Sequence, residues 1–261
     1  AITSDGEMME GNSHEIASLA GHLGLDRLIF FYDDNEISIE GDTDITFTED
    51  VKGRFEAYGW DVQDIDGHDF DAIEAAIKKA QVCNGKPHMI VCHTHIGYGS
   101  PNKQDTESVH GAPLGEEEIN LTKAALGWDH EAFKVPAEIY HAWDAKEKGA
   151  AAEAAWNERF AAYEAEHPDL AAEFKRRMAG ELPADWSAKA DAFVAECNEK
   201  AESPATRKAS LNSIEAYAAA LPELFGGSAD LGCSNLTEWS GYKPMDANEE
   251  ANYVRYGVRE F

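Results

Sequence analysis

Leu28-Ile29-Phe30-Phe31-Tyr32-Asp33-Asp34-Asn35 is a short apolar run that ends in three oxygen-bearing side chains. That pattern reads as a buried parallel strand delivering ligands at its carboxyl end, where open α/β sheets bind them. Upstream stands Ser4-Asp5-Gly6-Glu7-Met8-Met9-Glu10-Gly11. Asp5 is expected in a Gly-flanked turn, where backbone can approach a phosphate and a short carboxylate can face a hard cation. Asn35 adds a neutral oxygen. The carbonyl of Ile37, two residues on and so on the same side of an extended segment, adds a third ligand. Together they read as a metal-diphosphate clamp, with the other octahedral positions of Mg²⁺ (or Ca²⁺ or Mn²⁺) left to phosphate oxygens and water.

Outward from the clamp, Ile16, Leu19, Ala20 and Leu23 share one helical face up to Gly24, and a diphosphate near that helix's start would gain from its free N–H groups. Asp71 to Ala80 has the same spacing at Ile73, Ala76, Ile77 and Ala80. His88-Met89-Ile90-Val91-Cys92-His93-Thr94 then reads as a second buried strand, continuing a β-α-β rhythm. The polar, Gly-rich loop from Gly97 to Gly115 is long enough to be functional. From Glu116 the composition shifts to Ala, Glu and Lys, giving long exposed helices interrupted at Pro168. Trp143, Trp156, Phe160, Tyr163 and Phe174 are expected to be the buried stripe of a helical hairpin. Ser203-Pro204 opens a second α/β unit: Arg207 to Leu221 helical, Leu224-Phe225 a short apolar strand, and Gly226-Gly227-Ser228-Ala229-Asp230 at its end.

The 261 residues, 43% of them hydrophobic, suffice for one large or two small domains. No apolar run approaches the roughly 20 residues of a membrane-spanning helix. Fifty acidic residues against 22 basic give a net charge of −28, which argues against nucleic-acid and anionic-membrane partners. A phosphate ligand therefore needs a metal and local basic residues, and acidity of this size also fits a salt-rich habitat. Cys83, Cys92, Cys197 and Cys233 are too scattered for a zinc pattern or a disulfide scaffold, and the chain reads as cytoplasmic.

These words resemble the transketolases, thiamine-diphosphate enzymes. The likeness rests on the Asp5-Gly6…Asn35 pair, Ile65-Asp66-Gly67-His68-Asp69, Ile96 to Lys103, His110-Gly111-Ala112-Pro113-Leu114-Gly115, Gly226 to Leu231 and Tyr256-Gly257-Val258-Arg259-Glu260-Phe261. Ser4 stands where that family has Gly, which asks for ordinary rather than left-handed backbone. The resemblance implies an incomplete parallel-sheet cofactor-binding fold: the later part of a diphosphate-binding domain over 1–125, a helical connector over 126–199, and the start of a pyrimidine-binding domain over 200–261. It implies transfer of a two-carbon ketol unit between sugar phosphates, thiamine diphosphate and a divalent metal as cofactors, and a homodimer. A related ketol transferase such as a dihydroxyacetone synthase, or an inactive cofactor-binding interaction protein, are the competing readings. The chain reads as a fragment, catalytically silent alone.

Residue by residue, the resemblance gives Glu10 a place in an acidic network joining two active sites, against a solvated helix charge. It puts His110 near the diphosphate and reacting carbon, where it would touch both cofactor and substrate, against an exposed loop histidine. Arg207 and Ser234 would bind the substrate phosphate, against a surface arginine and a helix-cap serine. Asp230 would lie near the cofactor, against a turn aspartate. Glu260 would hydrogen-bond the aminopyrimidine ring and favour the tautomer that deprotonates the thiazolium carbon. So close to the end of the sequence, however, it is expected to have little to hold it. His68 reads as a turn residue; His93 could reach phosphate but, like His95, carries no assigned role.

Overall fold

The computed structural model describes residues 1–245 and 251–260, so Phe261 of the last quoted motif lies outside the described residues. The chain divides into two compact units, 1–134 together with Glu260, and 135–259. The first is α/β: β1 (Ile2–Ser4), α1 (Asp5–Met9), α2 (Gly11–Leu23), β2 (Ile29–Asp34), β3 (Ile37–Ser38), β4 (Gly41–Asp42), α3 (Val51–Ala57), β5 (Asp61–Asp66), α4 (Phe70–Ala80), β6 (His88–His93) and α5 (Glu116–Ala125). Four of its strands form a parallel sheet in the order β1-β2-β6-β5, and β3 and β4 make a small antiparallel pair.

The sheet is parallel because each crossover is helical, and its two faces are both covered. Along β6, Met89 and Val91 pack with Met8, Tyr32, Phe55 and Trp60 on one side. Ile90 and Cys92 pack with Ala76 and Ala80 on the other. That two-residue alternation turns an unbroken apolar run into a central strand buried on both faces. Each large side chain so buried contributes about 1.5–3 kcal/mol. Helix starts are fixed locally: Asp69 accepts from the N–H groups of Asp71 and Ala72 at α4, and Asp50 from Gly53 at α3.

Two expectations are corrected in this unit. Asp5 opens the one-turn α1 instead of sitting in a turn, with Ser4 as an extended N-cap. Strand β1 pairs in parallel with β2, Ile2, Thr3 and Ser4 opposite Phe31, Tyr32 and Asp33. Asn35 and Ile37 do not lie on one continuous extended segment, since Glu36 between them is left-handed at φ 60°.

The second unit carries α6 (Ala137–Trp143), α7 (Lys146–Glu166), α8 (Pro168–Met178), α9 (Trp186–Lys200), α10 (Thr206–Ala218), β7 (Gly226–Ser228), α11 (Gly232–Asn235) and β8 (Tyr253–Arg255). Pro168 starts α8, where its missing N–H costs nothing. In the α7–α8 hairpin, Phe160 stacks on Trp156 at 5.0 Å and meets Phe174 at 5.5 Å. The stripe is not buried as expected: Trp156, Tyr163 and Phe174 stay exposed and Trp143, at 84% exposure, takes no part. Two helices alone cannot enclose so many rings. The strand expected at Leu224-Phe225 falls instead on Gly226–Ser228, paired in parallel with β8. Only glycine fits there, because a Cβ on Gly227 would lie 2.6 Å from the Val254 carbonyl oxygen.

Candidate functional site

All four strands of the main sheet point their carboxyl ends to one edge, and there opens a cleft of about 1160 Å³. Register places Asp34, His93 and Asp66 side by side along this edge. Asp5, Tyr32, Asn35 and Ile37 line one part of the cleft, 42–52 another, and Asp64, His93, His95 and Asp105 a third.

The clamp begins with Ser4, whose N–H and hydroxyl both donate to Glu7 at 2.8 and 2.6 Å. Those bonds hold the Glu7 carboxyl below its usual range and fix the first turn of α1. Asp5 follows, only 3% exposed. The Tyr32 hydroxyl donates to its Oδ1 at 2.5 Å and the Glu36 N–H to its Oδ2 at 3.1 Å. Burial pushes the Asp5 carboxyl up, the Tyr32 bond offsets part of that, and the nearby Asp34 adds to the rise. Burial and the Asp5 carboxylate also hold the Tyr32 hydroxyl far above its ordinary range, so Tyr32 keeps its proton and donates it to Asp5.

Asn35 turns back on itself. Its Oδ1 accepts the Ile37 N–H at 3.1 Å, and its amide donates to Asp33 at 3.2 Å, while Thr94 donates to the other Asp33 oxygen. The left-handed Glu36 makes this turn, so Asn35 and Ile37 share the cleft by a bend and not by extended alternation. The donor set still fits a hard cation. An amide oxygen and a carboxylate keep free lone pairs after these bonds, and among the described residues no Lys or Arg pairs with the buried Asp5. The lining holds ten acidic side chains against the one amine of Lys52, so an anionic diphosphate needs a cation to enter.

In the third part of the lining, His93 bridges two acids, Nδ1 to Asp34 at 3.0 Å and Nε2 to Asp64 at 2.8 Å. His68 stacks on Tyr98 at 4.0 Å and accepts the His95 N–H at 3.1 Å; His95 pairs with Asp105 at 2.9 Å. His68 is thus more than a turn residue. The loop after β6 is pinned by the buried Glu118, which accepts from Ser100 Oγ at 2.5 Å and from both nitrogens of Asn102 at 2.9 Å.

Other expected residues are spread more widely. Gly6 and Glu10 are exposed on α1 and at the α1–α2 junction. His110 is exposed just after a short 3₁₀ turn, and the cleft lining does not include it. Glu260 is held after all: its N–H donates to Glu15 Oε2 at 2.8 Å. In the second unit Arg207 Nη1 reaches the Ser234 carbonyl at 3.4 Å, which brings that pair together. Asp230 sits beyond β7 with a left-handed φ of 63°. Sequence reasoning missed Tyr32, Glu118 and the Asp34–His93–Asp64 bridge; a buried tyrosine hydroxyl in a strand facing a motif acid was the available signal for the first.

Residues 1–183 match the family model described as "Transketolase, thiamine diphosphate binding domain", and 202–261 the one described as "Transketolase, pyrimidine binding domain". Transketolase 2 of Aliivibrio fischeri is 57% identical over 259 residues, covering 98% of this chain and 39% of that relative. Transketolase 2 of Escherichia coli is 55% identical over 258 residues, again 98% of this chain and 39% of the relative. The chain thus spans about 39% of the length of these curated relatives. A crystal structure of transketolase from Pichia stipitis in complex with sedoheptulose-7-phosphate superposes with a TM-score of 0.86 at 40% identity, over 99% of this chain and 39% of that one. Transketolase from Campylobacter jejuni gives 0.79 at 33% identity, over 99% of this chain and 38% of that one. With a family model matched across 183 of its residues and a parallel sheet shared with solved transketolases, the chain belongs to the transketolase family.

Proposed function

We propose that this chain supplies the diphosphate-binding part of an enzyme that moves a two-carbon ketol unit from a ketose phosphate to an aldose phosphate. The observation that carries the reading is the buried Asp5 carboxylate in an acidic cleft at the carboxyl ends of the parallel sheet, with Asn35 at the end of β2. Asp5, Asn35 and the Ile37 carbonyl would hold Mg²⁺, or Ca²⁺ or Mn²⁺ in its place, and through it the diphosphate; Gly6 leaves open space beside α1. Thiamine diphosphate, when bound, supplies the nucleophilic carbon and electron sink for breaking and making the carbon–carbon bond. The rest falls to side chains. Tyr32 keeps Asp5 oriented by donating to one oxygen, so the carboxylate's remaining lone pairs face the cleft. Glu118 holds the Ser100 and Asn102 end of the loop from which His110 would serve cofactor and substrate.

In the second unit Arg207 and Ser234 would form a phosphate-binding pair suited to sugar phosphates like the one in the Pichia complex, and Asp230 would lie near the cofactor. Glu260, grouped with the first unit, would hydrogen-bond the cofactor's aminopyrimidine ring. We assign 1–125 to the diphosphate-binding domain, 126–199 to the connector and 200–261 to the pyrimidine-binding domain. The working enzyme is a cytoplasmic homodimer, with Glu10 in the acidic network between its sites. Among the described residues no helix is long and apolar enough to cross a membrane.

Calorimetric titration of thiamine diphosphate into this chain, with and without Mg²⁺, tests the clamp. Binding should require the metal and vanish in Asp5→Ala; metal-independent binding, or binding unaltered by that substitution, refutes it. In the chain joined to the remaining length of a relative, Arg207→Ala should raise KM for phosphorylated sugars by about tenfold or more and spare unphosphorylated ones.

A further inference from the structure

We infer that Arg54 is the positioning residue of the clamp: its guanidinium ties α1, which carries Asp5, to the loop that lines another part of the cleft. α1 is a single turn, so its last carbonyls find no partner inside it. Glu7 O takes the Ser13 hydroxyl at 2.5 Å, and Met8 O takes Arg54 Nη2 at 3.0 Å. The other arm of the fork, Nη1, meets His14 Nε2 at 3.0 Å and pairs with Glu49. Arginine only donates, so His14 accepts at Nε2 and its Nδ1–H is left for the Tyr58 hydroxyl, 3.2 Å away.

The guanidinium also lies 5.9 Å from the Phe47 ring centroid and 5.7 Å from that of Phe55. Phe47 and Glu49 both line the cleft. One side chain, 11% exposed, thereby joins α1, α2, α3 and the 47–50 wall. A lysine cannot replace it, because serving Met8 O and the Glu49–His14 side together needs a planar fork. Asp5 stands three residues before Met8 on the same turn, so releasing Met8 O frees the carboxylate's orientation without touching it. This deepens the proposed function and rests on it for the ligand.

The test uses this chain with Mn²⁺ and inorganic pyrophosphate as probes. Mn²⁺ affinity in the presence of pyrophosphate is read by electron paramagnetic resonance, and amide hydrogen exchange is followed at 6–11. Arg54→Met should weaken Mn²⁺ binding about tenfold and speed exchange at 6–11, with Arg54→Lys in between. Should Arg54→Met fail to fold, Arg54→Lys and Glu49→Gln carry the comparison. Unchanged exchange and unchanged affinity overturn the inference, and so does weaker affinity with unchanged exchange, which marks a plain charge effect. Faster exchange in Arg54→Met, where the unsubstituted chain binds no Mn²⁺, upholds the hold on α1 and overturns the clamp instead.

Discussion

Asp5→Asn isolates the charge of the clamp from its shape. The carboxylate accepts two donors, the Tyr32 hydroxyl at 2.5 Å and the Glu36 N–H at 3.1 Å. The Asn oxygen can serve one of them, and its NH₂ then faces the other, so one buried donor loses its acceptor at a cost of about 1–3 kcal/mol. Against this, a buried carboxylate without a cationic partner disappears, a relief of similar order. These opposed changes leave the metal-free stability of the first unit within roughly 2 kcal/mol of its original value. The ligand-linked difference is diagnostic. At about 100 times the dissociation constant, Mg²⁺ with pyrophosphate stabilises the unsubstituted chain by about 2.7 kcal/mol. At roughly 2–4 °C per kcal/mol that raises the melting temperature by about 5–11 °C. Differential scanning calorimetry with and without Mg²⁺ and pyrophosphate should show this rise in the unsubstituted chain and none in Asp5→Asn. An equal rise in both would refute the assignment of Asp5 as the charged ligand.

The same carboxylate sets a pH dependence. Burial raises its folded pKa, so without metal its contribution favours folding at low pH and is lost as pH rises through the raised value; bound metal competes with the proton, and affinity should fall on acidification through that value. Comparing the unsubstituted chain with Asp5→Asn across pH 4–7 by the same calorimetry should show the difference vanish at the acid end. Glu118→Ala removes the acceptor of Ser100 and Asn102, and amide exchange across 97–115 should accelerate while β2 and β6 stay protected. Gly227→Ala puts a methyl carbon 2.6 Å from the Val254 oxygen and should destabilise the second unit by about 2 kcal/mol or more in urea titration, with the first unit unaffected.

The amino-acid sequence by itself determined the strands at 29–34 and 88–93, the helices at 11–23 and 70–80 and the break at Pro168. Each is written within a window of a dozen residues, as apolar period, cap or breaker, and survives because the local preference and the buried face agree. Tertiary structure alone decided the rest. Strand β1 exists because β2 offers three residues a parallel partner, and the strand at Gly226–Ser228 because only a residue without Cβ fits against Val254. The orientation of Asp5 depends on Tyr32, 27 residues away; that of α1 on Arg54, 46 from Met8; and the loop bearing His110 on Glu118, 18 from Ser100. Composition and period carry no trace of such pairs, because a buried hydrogen bond is set by the distance between atoms after packing, and packing joins segments that chain order keeps apart.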